Sequence, residues 1–214
     1  MISRLHYISQ ASKGHTHLDA IRAVCEAGAS CVQLRIKHQS SAAVLPIAQE
    51  VQEYCSQKGV QLVINDHVDM ARQLGAYGLH VGKQDMPPQE ARMIVGPSTI
   101  IGGTANSWED IVRLAEAKVD YIGLGPFRFT TTKDVLSPIL GLAGYRDLIQ
   151  ACKEHDIHIP ILAIGGIRLP DISPLMETGI HGVAISGYLT RQPEMVSAVQ
   201  KAISTAIASP FSTQ

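Results

Sequence analysis

The sequence is poor in the residues that mark several functional classes. Only 5% of the 214 residues are aromatic, with a single tryptophan, and 18 Lys plus Arg face 19 Asp plus Glu, for a formal net charge of −1. Such a chain lacks the overall positive field that holds nucleic acid or anionic lipid. We therefore expect no nucleic-acid partner and no membrane partner. An oligomeric partner is left open.

Cysteine is scarce as well. The chain has four cysteines and no C-x-x-C pair, at Cys25, Cys31, Cys55 and Cys152. This pattern predicts free, mostly buried thiols in a reducing cytoplasm. The N-terminal stretch lacks the apolar core of a secretory signal, and no apolar run approaches the ~20 residues of a membrane span. We expect a cytoplasmic protein.

Short apolar runs alternate with longer amphipathic stretches along the chain. CVQLRI is followed by an amphipathic stretch at 42–57, VQLVIN by one at 68–74, and GLHVG by one at 88–95. The change from a two-residue to a 3.6-residue period is typical of βα units on a parallel sheet. Counted this way, the chain holds about eight such units.

A weak internal repeat supports these units. The segments EAGASCVQLR, QLGAYGLHVG, EAKVDYIGLG and ETGIHGVAIS each join a predicted helix end to a predicted strand. In three of them Gly28, Gly75 or Gly179 stands where a helix end favours the left-handed conformation. Lys118 takes this place in the remaining segment, so we expect that helix end to be formed differently.

The number of units sets the predicted fold. About eight βα units in just over 200 residues predict an α/β chain forming a single-domain (β/α)8 TIM barrel over residues 1–214. The tail from about residue 209 is expected to be loose. A doubly wound open sheet is the structural alternative.

Charged residues follow the second, third and fourth predicted strands, where a barrel carries its functional groups. Gln33, Arg35 and Lys37 alternate onto one face of the second strand. The two cations either meet anions or reach solvent. Asp66 and Asp85 follow the next two strands, and such a carboxylate pair can share Mg²⁺ with a substrate phosphate. Each carboxylate taken alone is better explained as a turn or N-cap residue, and only the two together favour the metal site.

Glycines and hydroxyls follow the later strands. Thr104 comes after a glycine pair, and Ser107 is best explained as a helix cap. The Gly165–Gly166 pair and Ser186 with the following glycine would leave backbone N–H groups open to a phosphate after strands seven and eight. Simple tight turns are the alternative explanation.

A long polar segment, GLGPFRFTTTKD at 123–134, follows the sixth strand. It places Thr130, Thr131, Thr132 and Lys133 on the predicted functional rim. These residues would offer hydroxyls and a cation to anionic ligands. The sequence shows no Ser-His-Asp or Cys-His order, and its histidines are scattered, so it predicts no nucleophile–base dyad.

The ordered segments QLRIK, IND, HVGKQD, GLGP, TTTK and AIGGI resemble the thiamine-phosphate synthase family, which includes thiazole tautomerase relatives. The resemblance covers nearly the whole chain. It implies an Mg²⁺-dependent transferase that couples 4-amino-2-methyl-5-hydroxymethylpyrimidine diphosphate with 4-methyl-5-(2-phosphoethyl)thiazole. The implied products are thiamine phosphate and pyrophosphate, formed by dissociation to a pyrimidine carbocation.

The resemblance also implies three sets of site residues. The pyrimidine diphosphate would be held by Gln33, Arg35, Lys37, Asn65, Thr104 and Lys133. The catalytic candidates within that set are Arg35, Lys37, Thr104 and Lys133. The thiazole phosphate would be held by Thr130, Thr131, Thr132, Gly166, Ile185 and Ser186. Mg²⁺ would be held by Asp66 and Asp85.

The chain departs from the common family pattern at several rim positions. Ile36 stands where many members carry Glu, and Lys83 with Gln84 replaces a common Gln-Glu pair, which predicts a more basic rim. Thr104 replaces a common Ser and keeps the hydroxyl. Gly103 and Asn106 also differ. None of these changes removes a proposed ligand.

Three other functions compete with synthase activity. A thiazole tautomerase would use a histidine after strand six, where this chain has Pro126. A non-catalytic regulator would not need the diphosphate and metal residues. Another phosphate-binding barrel isomerase would not need the Asp66–Asp85 pair.

Overall fold

The computed structural model describes residues 1–12, 14–129 and 138–208. Eight parallel strands pair in chain order, and the last pairs with the first, which closes a barrel. The predicted (β/α)8 barrel is therefore confirmed and the open sheet is excluded. The strands are β1 Leu5–Ile8, β2 Cys31–Leu34, β3 Gln61–Asn65, β4 Gly78–Val81, β5 Ile100–Ala105, β6 Tyr121–Leu124, β7 Ile161–Ile164 and β8 Gly182–Ile185.

Helices follow the strands and surround the barrel. They are α1 His17–Glu26, α2 Ser41–Lys58, α3 Val68–Leu74, α4 Pro88–Val95, α5 Trp108–Glu116, α6 Gly141–Glu154, α7 Ile172–Met176, α8 Gly187–Arg191 and α9 Val196–Ala208. Short 3-10 turns at Leu169–Asp171 and Pro193–Met195 precede α7 and α9. The sequence predicted one helix over each of these stretches. Helix α8 was not predicted.

Helix ends agree with the repeat and refine it at one copy. Gly75 closes α3 in the left-handed conformation, with φ 59°. Lys118, expected to form a different end, adopts the same conformation with φ 55° despite its side chain. Ser107 caps α5 by accepting a hydrogen bond from the Asp110 N–H, which confirms its predicted role.

The strands separate two buried regions. Side chains on one face, such as Ile101, Ile122 and Leu124, pack against the helices and form an apolar outer core in which each is at most 1% exposed. The opposite face points to the barrel axis. This barrel interior holds the buried polar groups His6, Gln33, Asn65 and His80, together with Tyr121. Burying polar groups costs free energy unless they are hydrogen-bonded. We therefore expect these groups to have hydrogen-bond partners in the protein or in a ligand.

Glycine makes room for the interior rings. A Cβ at Gly102 would lie 2.0 Å from the Tyr121 ring, and one at Gly123 would lie 3.1 Å from the His80 ring. Gly102 and Tyr121 are paired across β5 and β6. The missing side chain on one strand therefore admits the ring from its neighbour.

Further sequence expectations concern the cysteines, membrane-spanning helices and the C-terminal tail. All four cysteines are free, and Cys31, Cys55 and Cys152 are buried, as expected. Over the ranges described, none of the helices combines the length and apolarity needed to cross a membrane. The tail from residue 209 lies outside the described residues, so its looseness stays a prediction.

Candidate active site

A cation and two carboxylates meet at the carboxyl ends of β2, β3 and β4. The Lys37 ammonium contacts the Asp66 carboxylate, and the Asp66 and Asp85 carboxyl groups share a hydrogen bond. Asp66 has a left-handed backbone, φ 65°, and its N–H donates to the His80 carbonyl at 2.9 Å. Because the ends of parallel strands meet at one edge, residues distant in sequence form this cluster.

Neither carboxylate is the N-cap of the following helix, although both lie in the turns that the sequence also allowed. The N-cap of α3 is His67, which makes no side-chain cap bond, and the N-cap of α4 is Pro87. Asp85 instead accepts a hydrogen bond from the Gly82 N–H at 2.6 Å. The N-cap explanation is therefore wrong for both residues.

The two carboxyl groups share a proton unequally. Burial and, after it, the hydrogen bond with Asp85 raise the pKa of Asp66 to about 6, against the opposing effect of Lys37. Burial also acts to raise the pKa of Asp85, but hydrogen bonds from Asp66 and the Gly82 N–H outweigh it and lower the value. Two carboxyl groups this close resist simultaneous ionisation unless a cation joins them.

The donor set of this pair fits Mg²⁺. Among the described residues no group of three or more His, Cys, Asp or Glu is placed to hold a metal. Magnesium needs fewer protein ligands than that, because it takes one or two carboxylates together with substrate phosphate and water. Asp66 and Asp85 supply that number of hard oxygen ligands from neighbouring strand ends.

A hydrogen-bonded chain crosses the barrel interior below this cluster. The Tyr121 hydroxyl lies 3.0 Å from His80 Nδ1, and His80 Nε2 lies 2.9 Å from the Thr104 hydroxyl. Burial raises the pKa of Tyr121 well above its usual value, while a hydrogen bond from the Gln33 side chain acts to lower it. Two predicted substrate residues, Gln33 and Thr104, are thus joined through His80 and Tyr121.

The sequence did not reveal the roles of His80 and Tyr121. In the sequence His80 is one of the scattered histidines, and Tyr121 lies in a predicted strand. The available signal was the pairing of a tyrosine strand with a glycine-rich one. It could be recognised only once the register of β5 and β6 was known.

Two buried polar groups near the axis have no hydrogen-bond partner within the described part of the chain. One is the Asn65 amide nitrogen, on a side chain whose residue is 5% exposed, and the other is the His6 ring. A buried donor left unpaired costs about 1–3 kcal/mol. The Asn65 amide at the end of β3 is therefore a donor suited to an incoming ligand, as predicted for the pyrimidine diphosphate.

Arg35 is held at the rim by its backbone. Its N–H donates to the Ser9 hydroxyl at 3.1 Å, and the same hydroxyl lies 2.8 Å from His17 Nδ1. Burial lowers the pKa of His17, and the positive charge of Arg35 lowers it further. The neutral form of His17 is therefore favoured beside Arg35. Ser9 and His17 were not identified from the sequence.

The opposite side of the rim is a glycine turn after β7. Gly165 and Gly166 have φ values of 98° and 70°, a region that only glycine enters readily. Ser186, at the end of the neighbouring strand β8, precedes α8 and makes no side-chain cap bond. The Ile185 side chain is 2% exposed and belongs to the outer core, so only its backbone can reach a ligand here.

The predicted residues of the β6 segment are not part of this geometry. Thr130, Thr131, Thr132 and Lys133 lie outside the described residues, and their roles stay predictions. The described residues on either side of that segment are hydrogen-bonded to each other. The N–H of Leu140 donates to the Pro126 carbonyl at 3.0 Å, and the N–H of Gly141 donates to the Phe127 carbonyl at 3.1 Å.

Several residues that differ from the common family pattern make specific contacts in the structure. Lys83 lies 2.5 Å from Asp110, so its charge is paired and adds little to the predicted basic character of the rim. The Asn106 amide donates to the Gly125 carbonyl and ties β5 to β6. A Cβ at Gly103 would lie 2.4 Å from Leu114, so the glycine lets α5 approach the barrel. Ile36 is buried in the outer core.

Comparison with known proteins finds relatives over nearly the whole chain. The model of the thiamine monophosphate synthase family matches residues 5–189. The thiamine-phosphate synthase of Flavobacterium johnsoniae is 44% identical over 201 residues, which covers 94% of this chain and 95% of the relative. That of Phocaeicola vulgatus is 46% identical over 197 residues, covering 92% and 95%.

A solved structure supports the fold. The thiamine phosphate pyrophosphorylase of Pyrococcus furiosus superposes with a TM-score of 0.80 at 24% identity, covering 96% of this chain and 97% of that one. The fold and the curated relatives together identify a (β/α)8-barrel transferase. The chain belongs to the thiamine monophosphate synthase family.

Proposed function

We propose that this protein is a thiamine-phosphate synthase that joins 4-amino-2-methyl-5-hydroxymethylpyrimidine diphosphate to 4-methyl-5-(2-phosphoethyl)thiazole and releases pyrophosphate. The observation that carries the proposal is the meeting of Lys37, Asp66 and Asp85 at the rim. A cation beside a carboxylate pair suits a diphosphate that arrives with Mg²⁺. Relatives that are 44% and 46% identical carry the name thiamine-phosphate synthase, which supports the proposal.

The diphosphate side of the site stabilises a leaving group. Bound Mg²⁺ would be held by Asp66 and Asp85 and would neutralise charge that develops on the departing pyrophosphate. Arg35 and Lys37, which follow β2, would add positive charge there, as Lys133 is predicted to do. In a dissociative displacement this charge stabilisation replaces a strong base or nucleophile.

The pyrimidine side of the site orients the ring. The Gln33 side chain is hydrogen-bonded to Tyr121, which is in turn hydrogen-bonded to His80. The Asn65 amide nitrogen has no partner among the described residues. An amide side chain can both donate to and accept from an aminopyrimidine edge. Thr104, held at 2.9 Å from His80, keeps its hydroxyl near the same pocket. A fixed ring orientation is what in-line displacement requires.

The thiazole side receives the second substrate as a phosphate monoester. Gly166, Ser186 and the backbone of Ile185 would supply N–H and hydroxyl donors, with Thr130, Thr131 and Thr132 as further predicted donors. Lying across the rim from the carboxylate pair, this turn would hold the thiazole nitrogen toward the pyrimidine methylene. The two anionic substrates are then bound by separate parts of the rim.

The competing activities lack support at named positions. Pro126 is buried after β6 and has no group that exchanges a proton, so it cannot replace the tautomerase histidine. A regulator or a simple isomerase would leave the carboxylate pair without a function. Small phosphorylated molecules are the partners of the reaction, and a cytoplasmic location remains our expectation from the sequence.

A two-substrate assay tests the proposal. Purified protein with both substrates and Mg²⁺ should form thiamine phosphate and pyrophosphate in equal amounts, and EDTA should abolish both. A parallel reaction supplies the thiazole carboxylate phosphate alone, and we expect no isomerisation there. Isomerisation without coupling would assign a tautomerase, and thiazole phosphate binding without either reaction would assign a regulator.

A further inference from the structure

Arg128, which follows β6, is hydrogen-bonded to the turn after β7. Arg128 Nη1 and Nη2 lie 2.7 Å from Asp171 Oδ2 and Oδ1, which makes a two-pronged ion pair. Nη1 also donates to the Gly166 carbonyl at 3.0 Å. One guanidinium therefore binds both the carboxylate and the backbone of the glycine turn. Only arginine offers donors in this fork geometry.

Backbone contacts reinforce the same junction. The Arg128 N–H donates to the Gly165 carbonyl at 3.1 Å, and the Phe127 N–H donates to the Ile164 carbonyl at 2.8 Å. The Arg128 stem lies directly on Gly166, where a Cβ would come within 2.4 Å of its Cγ. The turn is thus covered by Arg128 and has no room for a side chain.

Asp171 closes the turn from its other end. Its Oδ2 accepts a hydrogen bond from the Arg168 N–H at 2.8 Å, and its side chain is only 14% exposed. Asp171 thereby connects Arg128 to the backbone that follows Gly166. Two consecutive glycines with positive φ would otherwise be free to change conformation.

We propose that Arg128 and Asp171 are positioning residues that fix the Gly165–Gly166 turn and so set the affinity for the thiazole phosphate. The proposal rests on the proposed function, because that function places the phosphate at this turn. The guanidinium is committed to Asp171 and Gly166, so it acts on the phosphate through the turn and not by contact. Neither residue belonged to the sites predicted from the sequence.

The test uses variants that remove each partner separately. Asp171→Asn removes the charge of the carboxylate, and Arg128→Met removes the guanidinium while keeping most of the stem over Gly166. Each should raise the Kd and KM for thiazole phosphate about tenfold, as expected for a coupled pair. The KM for the pyrimidine diphosphate should change less than about twofold.

A matched ion pair at the other end of the barrel is the control. Arg92 Nη2 lies 2.6 Å from Asp120, whose carboxylate also accepts from the Ile101 N–H at 2.7 Å. Asp120→Asn removes the same chemistry far from the rim. We expect a lower melting temperature with unchanged Kd for thiazole phosphate. An equal rise in Kd for Asp120→Asn would attribute the effect to general destabilisation and overturn the proposal.

A charge exchange separates positioning from direct contact. The double variant Arg128→Asp with Asp171→Arg restores opposite charges and should recover at least about threefold of the lost affinity. If Arg128 contacts the phosphate itself, Asp171→Asn would leave the Kd unchanged or tighten it, and the exchange would recover nothing. Either of these results contradicts the proposal.

The binding measurement keeps the two claims distinguishable. Calorimetry with thiazole phosphate alone needs no turnover. If the wild type binds thiazole phosphate but forms no product, synthase activity fails while the variants still test the positioning role. If the wild type does not bind thiazole phosphate, the positioning role is wrong.

Discussion

The two faces of the barrel strands carry opposite chemistry. Toward the helices, side chains such as Ile122 and Leu124 are apolar and fully buried. Toward the axis, His6, Gln33 and Tyr121 are equally buried but polar. The apolar face supplies the free energy that closes the barrel. The polar face is therefore available for ligand binding. We expect substitutions on the two faces to have different effects.

Removing the carboxylates at the end of the polar face should give the largest effect. In Asp66→Asn with Asp85→Asn we expect turnover to fall about a thousandfold, because the charge stabilisation of the leaving group is lost. The melting temperature should not fall, since two close carboxyl groups no longer compete for one proton. Steady-state assays over a magnesium series and thermal melts measure both. Retained turnover with unchanged magnesium dependence would contradict the metal assignment.

An alteration of the apolar face should act on stability alone. Ile122→Ala empties space in the outer core and should lower the free energy of unfolding by about 3 kcal/mol. The KM values of the folded fraction should stay within about twofold of the wild type. Urea unfolding and kinetics at low temperature test this. A tenfold change in either KM would mean that the two faces are not independent.

The buried His6 ring should make stability depend on pH. Burial and, to a smaller extent, the nearby His181 lower the pKa of His6 to about 4. The unfolded chain takes up this proton below about pH 6.5 while the folded chain does not, so stability is complete above pH 6.5 and falls toward pH 4. From pH 7 to pH 5 the free energy of unfolding should decrease by about 2 kcal/mol on account of His6.

A substitution isolates this term. His6→Gln should reduce that pH dependence, whereas His155→Gln, at an exposed position, should leave it as it is. Urea unfolding at the two pH values gives the comparison. Equal pH dependence in wild type and His6→Gln would show that the ring is not kept neutral by burial.

The smallest effect is expected within the hydrogen-bonded chain. Tyr121→Phe removes the hydroxyl that joins His80 to Gln33 while keeping the ring against Gly102. We expect the KM for the pyrimidine diphosphate to rise about fivefold, the equivalent of one lost hydrogen bond. The KM for thiazole phosphate serves as the internal control and should not change. An equal rise in both would place the effect on the fold and not on Gln33.

The period of the apolar pattern was sufficient to predict the barrel and most helix limits. Helix α3 begins and ends where predicted, because its capping glycine and apolar face are local signals. The α7 region differs, because Pro170 sits in the first turn of a separate 3-10 helix. Helix α8 has only five residues, too few for a period to show.

The sequence identified residues that meet in the structure where one residue type at a strand end was informative. Asp66 and Asp85 were identified in this way, and the structure brings them together. Groups defined by pairing between strands could not be found from the sequence. Tyr121 needs the β5–β6 register, and the Arg128–Asp171 pair joins residues 43 apart. Such contacts depend on tertiary distances that no single segment encodes.

The central claim is that the carboxylate side and the glycine-turn side of the rim bind different substrates. Calorimetry of the Asp66→Asn, Asp85→Asn double variant tests it most directly, with pyrophosphate plus Mg²⁺ and with thiazole phosphate as separate ligands. We predict that the affinity for pyrophosphate with Mg²⁺ falls at least about a hundredfold while that for thiazole phosphate stays within about twofold. Loss of both affinities, or of neither, would contradict the account.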